Sequence, residues 1–499
     1  MFFVVKKKRV LIDFVKAKWA QAKWVRATCA VGRDAVVKCA VVKYVQKKNA
    51  WGFLPSIGRL FLIMICLGLS LTPSINAENT NAAFISDDEV EGALEGWLSE
   101  LFKVAGVNIK PKVYLMNNKE LNAGATFGGI IVVYTGLIMK CKNAAQILGV
   151  LAHETGHIAG GHMAKASAIM AESSIPAVAS VLLGGAATIL TGNPAALMAG
   201  LAGGAQVFER SLLKHSREQE DSADASALSY LNAKHWPVSG LAEFLDLIGN
   251  NYTTGREDPY VQTHPLSPER KAKVRLYQNQ QAPYIIAPEI EAKFQRLKAK
   301  LVGFLKKRNE VYLEYPLSDK SIPARYARLI ADYNDGRNNE KVQSVLVKLD
   351  ELLKEIPNDP FFLELKGQFC FETGKIKEAI PYLRASAVKR PQSYSVRLML
   401  AHALIELPSS GTPELHEAIE HLTKITEQNH ENTFAWRLMG LAYGKMKQDG
   451  NAAACLAEEA WILNNAELTI MQAKKGKTAS NPVLAKRSAD LLQQAKQMA

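Results

Sequence analysis

The chain has 499 residues, of which 48% are hydrophobic and 22% charged, with 61 Lys and Arg residues against 48 Asp and Glu residues. This composition indicates two or three domains with an ample core, and it excludes a disordered chain, a disulfide-knotted miniprotein and a collagen-like fibre. The net charge of +13 is concentrated in residues 1–59, which hold 14 basic and two acidic side chains. The rest of the chain is nearly neutral, which argues against a nucleic-acid-binding protein.

Residues 1–77 are typical of an export leader. An apolar run, Leu60–Leu71, follows Arg59 and gives way to small residues, which predicts a signal peptide that ends near Ala77 and a location in the periplasm. The run is shorter than the roughly 20 apolar residues of a membrane span, so an uncleaved anchor is the alternative. Residues 1–50 are either a basic membrane-surface helix or, as we favour, sequence upstream of the true start, and we assign them no function.

The elements that follow the leader alternate between helix and strand. The patterns predict a helix over Asp87–Val104, strands over Lys112–Met116 and Ile130–Thr135, and an apolar helix from Ala144 onward. The order of these elements predicts an α+β domain over 84–280, mostly helical with a small sheet.

Residues 173–208 carry no charged side chain and are rich in Ala, Gly and Leu. They are interpreted either as buried helices that form core or a lid, which we favour, or as a surface for peripheral membrane association. The glycine breaks and short segments argue against a spanning helix.

A repeat is predicted in the last third of the chain. The small residues Gly367, Ala401 and Gly440 stand at corresponding positions 34 and 39 residues apart, and the longer interval contains the loop 407–413. Small residues where paired helices cross are typical of tetratricopeptide repeats. We therefore predict a helical linker over 281–320, an all-α tetratricopeptide-repeat solenoid over 321–470 and a helical tail over 471–499. The concave face of such a solenoid is expected to bind protein or peptide, unless the repeats only pack on their own catalytic domain.

The three cysteines after the leader have no C-x-x-C spacing, which predicts neither a thiolate metal site nor a disulfide framework. A bond between Cys370 and Cys455 stays open, beside two buried free thiols.

His153-Glu154-Thr155-Gly156-His157 forms an H-E-x-x-H motif. Residues four apart lie on one face of a helix, so both imidazoles can bind one zinc ion. Glu154 lies part of the way around the helix and can reach a water molecule as general base. The motif therefore predicts one zinc per chain in a metallopeptidase.

A catalytic zinc needs a third protein ligand and one open position. The extended motif H-E-x-x-H-x-x-G-x-x-H is absent, because Met163 stands at its last position and His162 misses that position by one. The better candidate is Glu220, which shares a helix face with Asp224. One carboxylate is expected to bind zinc and the other to hold a ligand imidazole.

These motifs together resemble the HtpX-like and CAAX-prenyl-protease superfamily of zinc metallopeptidases, the gluzincins. The segments that carry the resemblance are Asn122-Ala123, Gly128–Leu137, Leu151–His157, Ser216–Asp224 and Thr263–Arg270. Gly124 departs from the pattern, since the family usually has an aromatic residue there.

The resemblance implies His153, His157 and Glu220 as zinc ligands, Glu154 as base and proton shuttle, and Asp224 behind a ligand. It implies that His264 lies near the metal, where it either blocks the metal at rest or assists the oxyanion, with Arg270 in support. Substrate is expected to bind at Asn122 and Ala123, and to pair as an added strand with the segment that contains Ile131 and Val133.

The first functional hypothesis is a periplasmic zinc endopeptidase that degrades misassembled envelope proteins. The resemblance extends this to quality control of outer-membrane β-barrel proteins, with the repeats docking substrate or the barrel assembly machinery. The alternatives are a chaperone-like periplasmic scaffold with a silent or latched zinc site, and a membrane-embedded peptidase that uses 173–208 and an uncleaved leader.

Overall fold

The computed structural model describes residues 83–162, 217–252, 264–281, 283–336, 339–408 and 411–498. The chain divides into two compact units, Met1–Ile85 and Ser86–Ala499. Strand β1 (Ala83–Ile85) belongs to the first unit, and every other element below belongs to the second. The predictions for the leader and for residues 173–208 lie outside the described residues.

The second unit contains a small mixed sheet. Strand β4 (Ile130–Tyr134) lies between β2 (Lys112–Asn117), which is parallel to it, and the short β3 (Ala123–Ala125), which is antiparallel. A turn at Gly128 and Gly129, both with positive φ, joins β3 to β4, and glycine adopts this backbone conformation without a steric penalty. The two predicted strands are confirmed, except that Thr135 begins a helix rather than ending a strand.

Helices surround this sheet, and a buried helix forms their centre. The helices are α1 (Asp88–Val104), α2 (Thr135–Lys140), α3 (Ala144–Ala159), α4 (217–233), α5 (Ser239–Tyr252) and α6 (Pro268–Gln280). Helix α3 packs against α1, α5 and β3, and its first fourteen residues are all buried. A helix that is enclosed on every side is apolar around most of its surface, which explains its run of Ala, Ile, Leu and Val. The predicted helices over Asp87–Val104 and from Ala144 are confirmed.

Glycines allow the helices to cross closely around α3. A Cβ on Gly149 would lie 2.7 Å from the backbone nitrogen of Leu241 in α5, and a Cβ on Gly156 would lie 2.8 Å from the carbonyl oxygen of Ala223 in α4. Both separations are shorter than ordinary van der Waals contact, so only glycine permits these crossings. The second crossing fixes the distance between the H-E-x-x-H helix and α4.

The remaining residues form helices that pack in successive pairs. After α7 (Pro288–Leu305) and α8 (Arg308–Glu314) come the following helices: α9 (Ile322–Asp335), α10 (Asn339–Glu355), α11 (Pro360–Glu372), α12 (Ile376–Lys389), α13 (Tyr394–Glu406), α14 (Thr412–Gln428), α15 (Thr433–Lys445), α16 (Asp449–Ile462), α17 (Ala466–Gly476) and α18 (Pro482–Met498). Gly367 packs on Leu383 and Gly440 packs on Leu456, so the two glycines serve equivalent crossings within their helix pairs. The predicted boundary at residue 470 falls inside α17, which pairs with α18 and continues the array.

Buried charges join α7 to both parts of the second unit. Arg296 on α7 makes an ion pair with Glu89 on α1 and a two-pronged contact, 2.7 Å at each nitrogen, with Asp359 at the start of α11. Lys300, one turn further along α7, lies 2.8 Å from Asp87 and 3.0 Å from Glu89. Helix α7 therefore connects the sheet-containing part to the helical array.

Two further predictions are resolved by the described residues. Cys141, Cys370 and Cys455 are buried free thiols, so Cys370 and Cys455 do not pair. Within the described part of the chain, every helix is too short or too polar to cross a bilayer. The fold is mostly helical with a small sheet, as predicted.

Candidate metal centre and active site

Helix α3 places the two histidines of the motif on one face. The Nε2 atoms of His153 and His157 lie 3.0 Å apart, and both rings are buried. A spacing of four residues produces this arrangement because the helix completes one turn in 3.6 residues.

Helix α4 brings a carboxylate to the same point. One oxygen of Glu220, Oε2, lies 3.2 Å from His153 Nε2, and the other, Oε1, lies 3.3 Å from His157 Nε2. The close crossing of Gly156 and Ala223 explains how a side chain from another helix reaches both rings.

A fourth donor comes from the segment just before α6. The Nδ1 atom of His264 lies 3.0 Å from Glu220 Oε1 and 3.5 Å from His153 Nε2. Its side chain is buried with the other three. One donor atom from each of His153, His157, Glu220 and His264 can be chosen so that all four lie within 4.8 Å of one another.

The donor spacing fits a tetrahedral zinc ion. Zinc bonds to nitrogen and oxygen of about 2.0–2.1 Å place neighbouring ligand atoms of a tetrahedron about 3.3 Å apart. The measured pairs lie 3.0 to 3.5 Å apart, with His153 measured to Oε2 of Glu220 and both His157 and His264 measured to Oε1. Imidazole and carboxylate are also donor types that zinc prefers, so the residues fit the metal that the motif predicts.

Asp224 and Arg270 hold the ligands from behind. Asp224 Oδ1 lies 2.9 Å from the Nδ1 atom of His153, the nitrogen that faces away from the donor cluster. Arg270 donates to both oxygens of Asp224, at 2.7 and 2.9 Å, and its Nη1 lies 2.9 Å from Glu220 Oε2. Arg270 therefore fixes two carboxylates, which places it in a positioning role rather than among the reacting groups.

Burial and hydrogen bonding shift the pKa values of this cluster in opposite directions. Burial favours neutral carboxyls, but contacts with His153, His157 and His264 outweigh it and hold the pKa of Glu220 far below its ordinary value. Burial also lowers the pKa of His153, and the hydrogen bonds to Asp224 and Glu220 outweigh it and raise that pKa to about 10. For His157 burial dominates and lowers the pKa. A cation that binds here has to displace the proton that these carboxylates stabilise on His153.

Only one of the two carboxylate oxygens of Glu154 accepts a hydrogen bond in the described structure. Its Oε2 accepts a hydrogen bond of 2.8 Å from the backbone N–H of Ala125 in β3. Its Oε1 is buried, accepts no hydrogen bond within the described structure, and lies 3.6 Å from His264 Nε2. The carboxylate is thus aimed at the donor cluster with a lone pair available for a proton.

The predicted substrate residues divide between two strands. Asn122 and Ala123 lie at the start of β3, and both are largely buried. Ile131 and Val133 lie in β4, where their side chains are fully buried and the strand is paired on both sides. This placement does not fit the predicted pairing of substrate with β4, because a strand with two neighbours has no free hydrogen-bonding edge.

Sequence reasoning missed two contributors to this site. Ala125 reaches Glu154 from a three-residue strand, which is too short to show an alternating pattern. His162 was considered only as a third ligand, whereas the structure places its Nδ1 atom 2.9 Å from Nδ1 of His157. The sequence signal for this contact was the pair Gly160-Gly161, which precedes His162 and allows the chain to turn back toward His157.

The site combines three buried metal-binding side chains, His153, His157 and Glu220, with a second glutamate, Glu154, beside them. This combination is typical of a metal-dependent hydrolase. Comparison with known proteins agrees, since the model of Peptidase family M48 matches residues 89–277. Metalloprotease YcaL of Escherichia coli (strain K12) is 30% identical over 188 residues, which cover 67% of that protein and 36% of this chain. The chain belongs to peptidase family M48, a family of zinc metallopeptidases, and the predicted family resemblance is confirmed.

One similarity extends well beyond the peptidase segment. The Beta-barrel assembly-enhancing protease of Escherichia coli (strain K12) is 26% identical over 359 residues, which cover 69% of this chain and 70% of that protein. A Putative beta-barrel assembly-enhancing protease of Vibrio cholerae is 23% identical over 364 residues, which cover 70% of this chain and 71% of that protein. The similarity to these relatives therefore includes part of the helical array.

Proposed function

We propose that this chain is a periplasmic zinc endopeptidase in the quality control of misassembled envelope proteins, outer-membrane β-barrel proteins among them. The observation that carries the proposal is the buried set of His153, His157 and Glu220, with Oε1 of Glu154 beside it and without a hydrogen bond in the described structure. The similarity to relatives named for β-barrel assembly supports the substrate class, and the predicted export leader supports the compartment.

The chain supplies a base and a binding edge for hydrolysis. When bound, zinc contributes Lewis acidity toward the scissile carbonyl and lowers the pKa of a water molecule. Glu154 Oε1 accepts the proton of the attacking water and returns it to the leaving nitrogen. Glu154 Oε2 is anchored by Ala125, so the carboxylate turns little during these transfers.

Substrate pairs with β3 rather than β4. Among the described residues, β3 is bonded to β4 on one side only, and alternation of an antiparallel ladder directs the backbone groups of Ala123 and Ala125 away from β4. The N–H of Ala125 already donates to Glu154, so an added peptide bonds to the backbone groups of Ala123 and to the carbonyl of Ala125. An extended peptide added there lies along Glu154. Asn122, whose Oδ1 is buried without a hydrogen-bond partner in the described structure, stands at the start of this edge.

His264 blocks the site in this state. A catalytic zinc would need one open position, and Nδ1 of His264 lies inside the donor cluster, 3.0 Å from Glu220 Oε1 and 3.5 Å from His153 Nε2, where it would take that position. Of the two roles that the resemblance implies, this geometry supports the blocking one. The segment that carries His264 has to move before a water molecule and a peptide can bind.

The helix pairs α9–α18 are tetratricopeptide repeats in this proposal, and they dock substrate or the barrel assembly machinery. The equivalent crossings at Gly367 and Gly440 support the repeat assignment. The closed set of four donors also favours one alternative, a chaperone-like scaffold whose zinc site stays latched. Peripheral membrane association through 173–208 remains a prediction.

Zinc content and casein cleavage of the purified chain test the enzyme, beside a Glu154→Gln variant. We expect about one zinc per chain in both proteins, and cleavage only in the wild type, because the amide cannot take a proton. Zinc without cleavage in any condition, together with full complementation of a deletion strain by Glu154→Gln, would favour the scaffold. A folded wild type that binds no zinc would contradict the metal site.

A further inference from the structure

His162 lies behind His157, and the proposed zinc chemistry has not used it. Its side chain is 4% exposed, and its Nδ1 atom lies 2.9 Å from Nδ1 of His157. The two rings meet edge to face, with centroids 5.0 Å apart. The two nitrogens are therefore within hydrogen-bond distance, and both rings are buried.

The backbone after α3 is shaped for this contact. Helix α3 ends at Ala159 and is capped by Gly160, and Gly161 follows with φ of +64°, in the left-handed region. A Cβ on Gly160 would lie 2.4 Å from Nε2 of His162, so only glycine leaves room for the ring. Two adjacent glycines thus turn the chain back and seat His162 against the last ligand of the helix.

The donor set fixes the direction of the hydrogen bond. Nε2 of His157 faces the metal position, 3.0 Å from His153 Nε2 and 3.3 Å from Glu220 Oε1. A histidine that gives Nε2 to a metal carries its proton on Nδ1. With a metal on Nε2, Nδ1 of His157 would donate to Nδ1 of His162, and the proton of a neutral His162 would then lie on its Nε2.

We propose that His162 is a positioning residue that fixes the tautomer and ring orientation of His157 for zinc. The role is parallel to that of Asp224 behind His153, where the acceptor is a carboxylate. Metal-ligating histidines usually donate their second nitrogen to such a partner, and loss of the partner weakens metal affinity by about 10- to 100-fold. The inference rests on the proposed zinc site.

Three substitutions separate hydrogen bonding from packing. His162→Asn places an amide oxygen near the position of Nδ1, His162→Leu has nearly the same shape as Asn without an acceptor, and His162→Gln reaches the position of Nε2 instead. His416→Asn, on the exposed face of α14, is the control. Zinc affinity of the full chain is measured by competition with a chelating dye, and far-UV circular dichroism of the metal-free proteins monitors folding.

We expect His162→Leu and His162→Gln to bind zinc about 10- to 100-fold more weakly, and His162→Asn to stay within about threefold of the wild type. The proposal would be overturned if His162→Leu bound zinc as tightly as the wild type. It would also be overturned if His162→Leu and His162→Asn lost zinc affinity to the same extent. Histidine-selective ¹⁵N spectra of the zinc-loaded wild type test it without any variant. A proton on Nδ1 of His162 contradicts it. A folded wild type that binds no zinc would contradict the proposed function, and the positioning role of His162 would fail with it.

Discussion

At the scale of single residues, Asp224 orients the ligand His153. It contacts His153 on one side and accepts two hydrogen bonds from Arg270 on the other. Burial raises the pKa of Asp224, but His153 and Arg270 outweigh it and keep that pKa below the ordinary value. The carboxylate is therefore an anion that orients a ligand and stabilises positive charge beside it.

Asp224→Asn is expected to weaken zinc binding by about 10- to 100-fold, because the amide is a poorer acceptor for the His153 ring. Asp221→Asn is the matched control, since Asp221 lies on the same helix in an exposed ion pair with Lys273. The measurement is zinc competition with a chelator at neutral pH. Equal affinity of the two variants would show that Asp224 does not support the ligand.

Local spacing predicted which residues meet at the site, and it failed where the contact depends on distant parts of the chain. His153, Glu154 and His157 follow from one helix, and Glu220 with Asp224 from another. Ile131 and Val133 lie on a strand that cannot pair with substrate, because β4 already has a neighbour on each side. No local sequence period reveals this pairing. The contact of His162 depends on a left-handed turn, which a pair of glycines permits but does not require.

At the scale of elements, the crossing of α3 and α4 determines whether the ligands meet. Gly156 lies inside the motif and faces the backbone of Ala223, which stands between Glu220 and Asp224 in sequence. A side chain at this position pushes the two helices apart, and with them the histidines from Glu220.

Gly156→Ala is therefore expected to cost about 1–3 kcal/mol of stability and to weaken zinc binding. Gly92→Ala is the control, because Gly92 lies in helix α1 with open space around its Cβ position. There the alanine is expected to be neutral or stabilising by up to about 1 kcal/mol. Urea unfolding of the metal-free proteins measures the stability of both variants. A Gly156→Ala protein as stable as the wild type would contradict the close crossing.

The helical array was predictable as an array because one small-residue crossing recurs along it, at Gly367 on Leu383 and at Gly440 on Leu456. The predicted boundary at residue 470 falls inside α17, because the predicted repeat pattern extends only to Leu456, whereas Gly476 at the end of α17 packs on Ser488 of α18. Helix α7 was predicted as a linker, and its role as a connection became visible only through Arg296 and Lys300. Ion pairs between distant segments leave no period in a sequence.

At the scale of the whole molecule, Arg296 holds the peptidase part and the array together. Removal of the guanidinium leaves the largely buried Asp359 without its cationic partner, whereas Glu89 keeps its ion pair with Lys300. An unpaired buried charge of this kind costs about 3–5 kcal/mol. Arg296→Met is therefore expected to lose stability on this scale, whereas Arg384→Met, which breaks an exposed pair with Glu417, is expected to lose at most about 1 kcal/mol. Urea unfolding at neutral pH measures both.

The loss in Arg296→Met depends on pH. Burial raises the pKa of Asp359, but Arg296 outweighs it and depresses that pKa, so the pair stabilises the fold above the unfolded value of about 3.9. Its contribution disappears as the pH falls through the folded pKa. The stability gap between wild type and variant is expected to shrink in acid, and a constant gap would contradict the pairing.

The central claim is a zinc peptidase that His264 holds closed. Casein cleavage by His264→Ala tests it most directly, beside the wild type, the double variant His264→Ala/Glu154→Gln and the exposed-site control His416→Ala, with zinc content determined for each. The account predicts stoichiometric zinc throughout, faster cleavage in His264→Ala than in wild type or His416→Ala, and none in the double variant. Zinc-loaded His264→Ala that cleaves more slowly than the wild type would contradict the block.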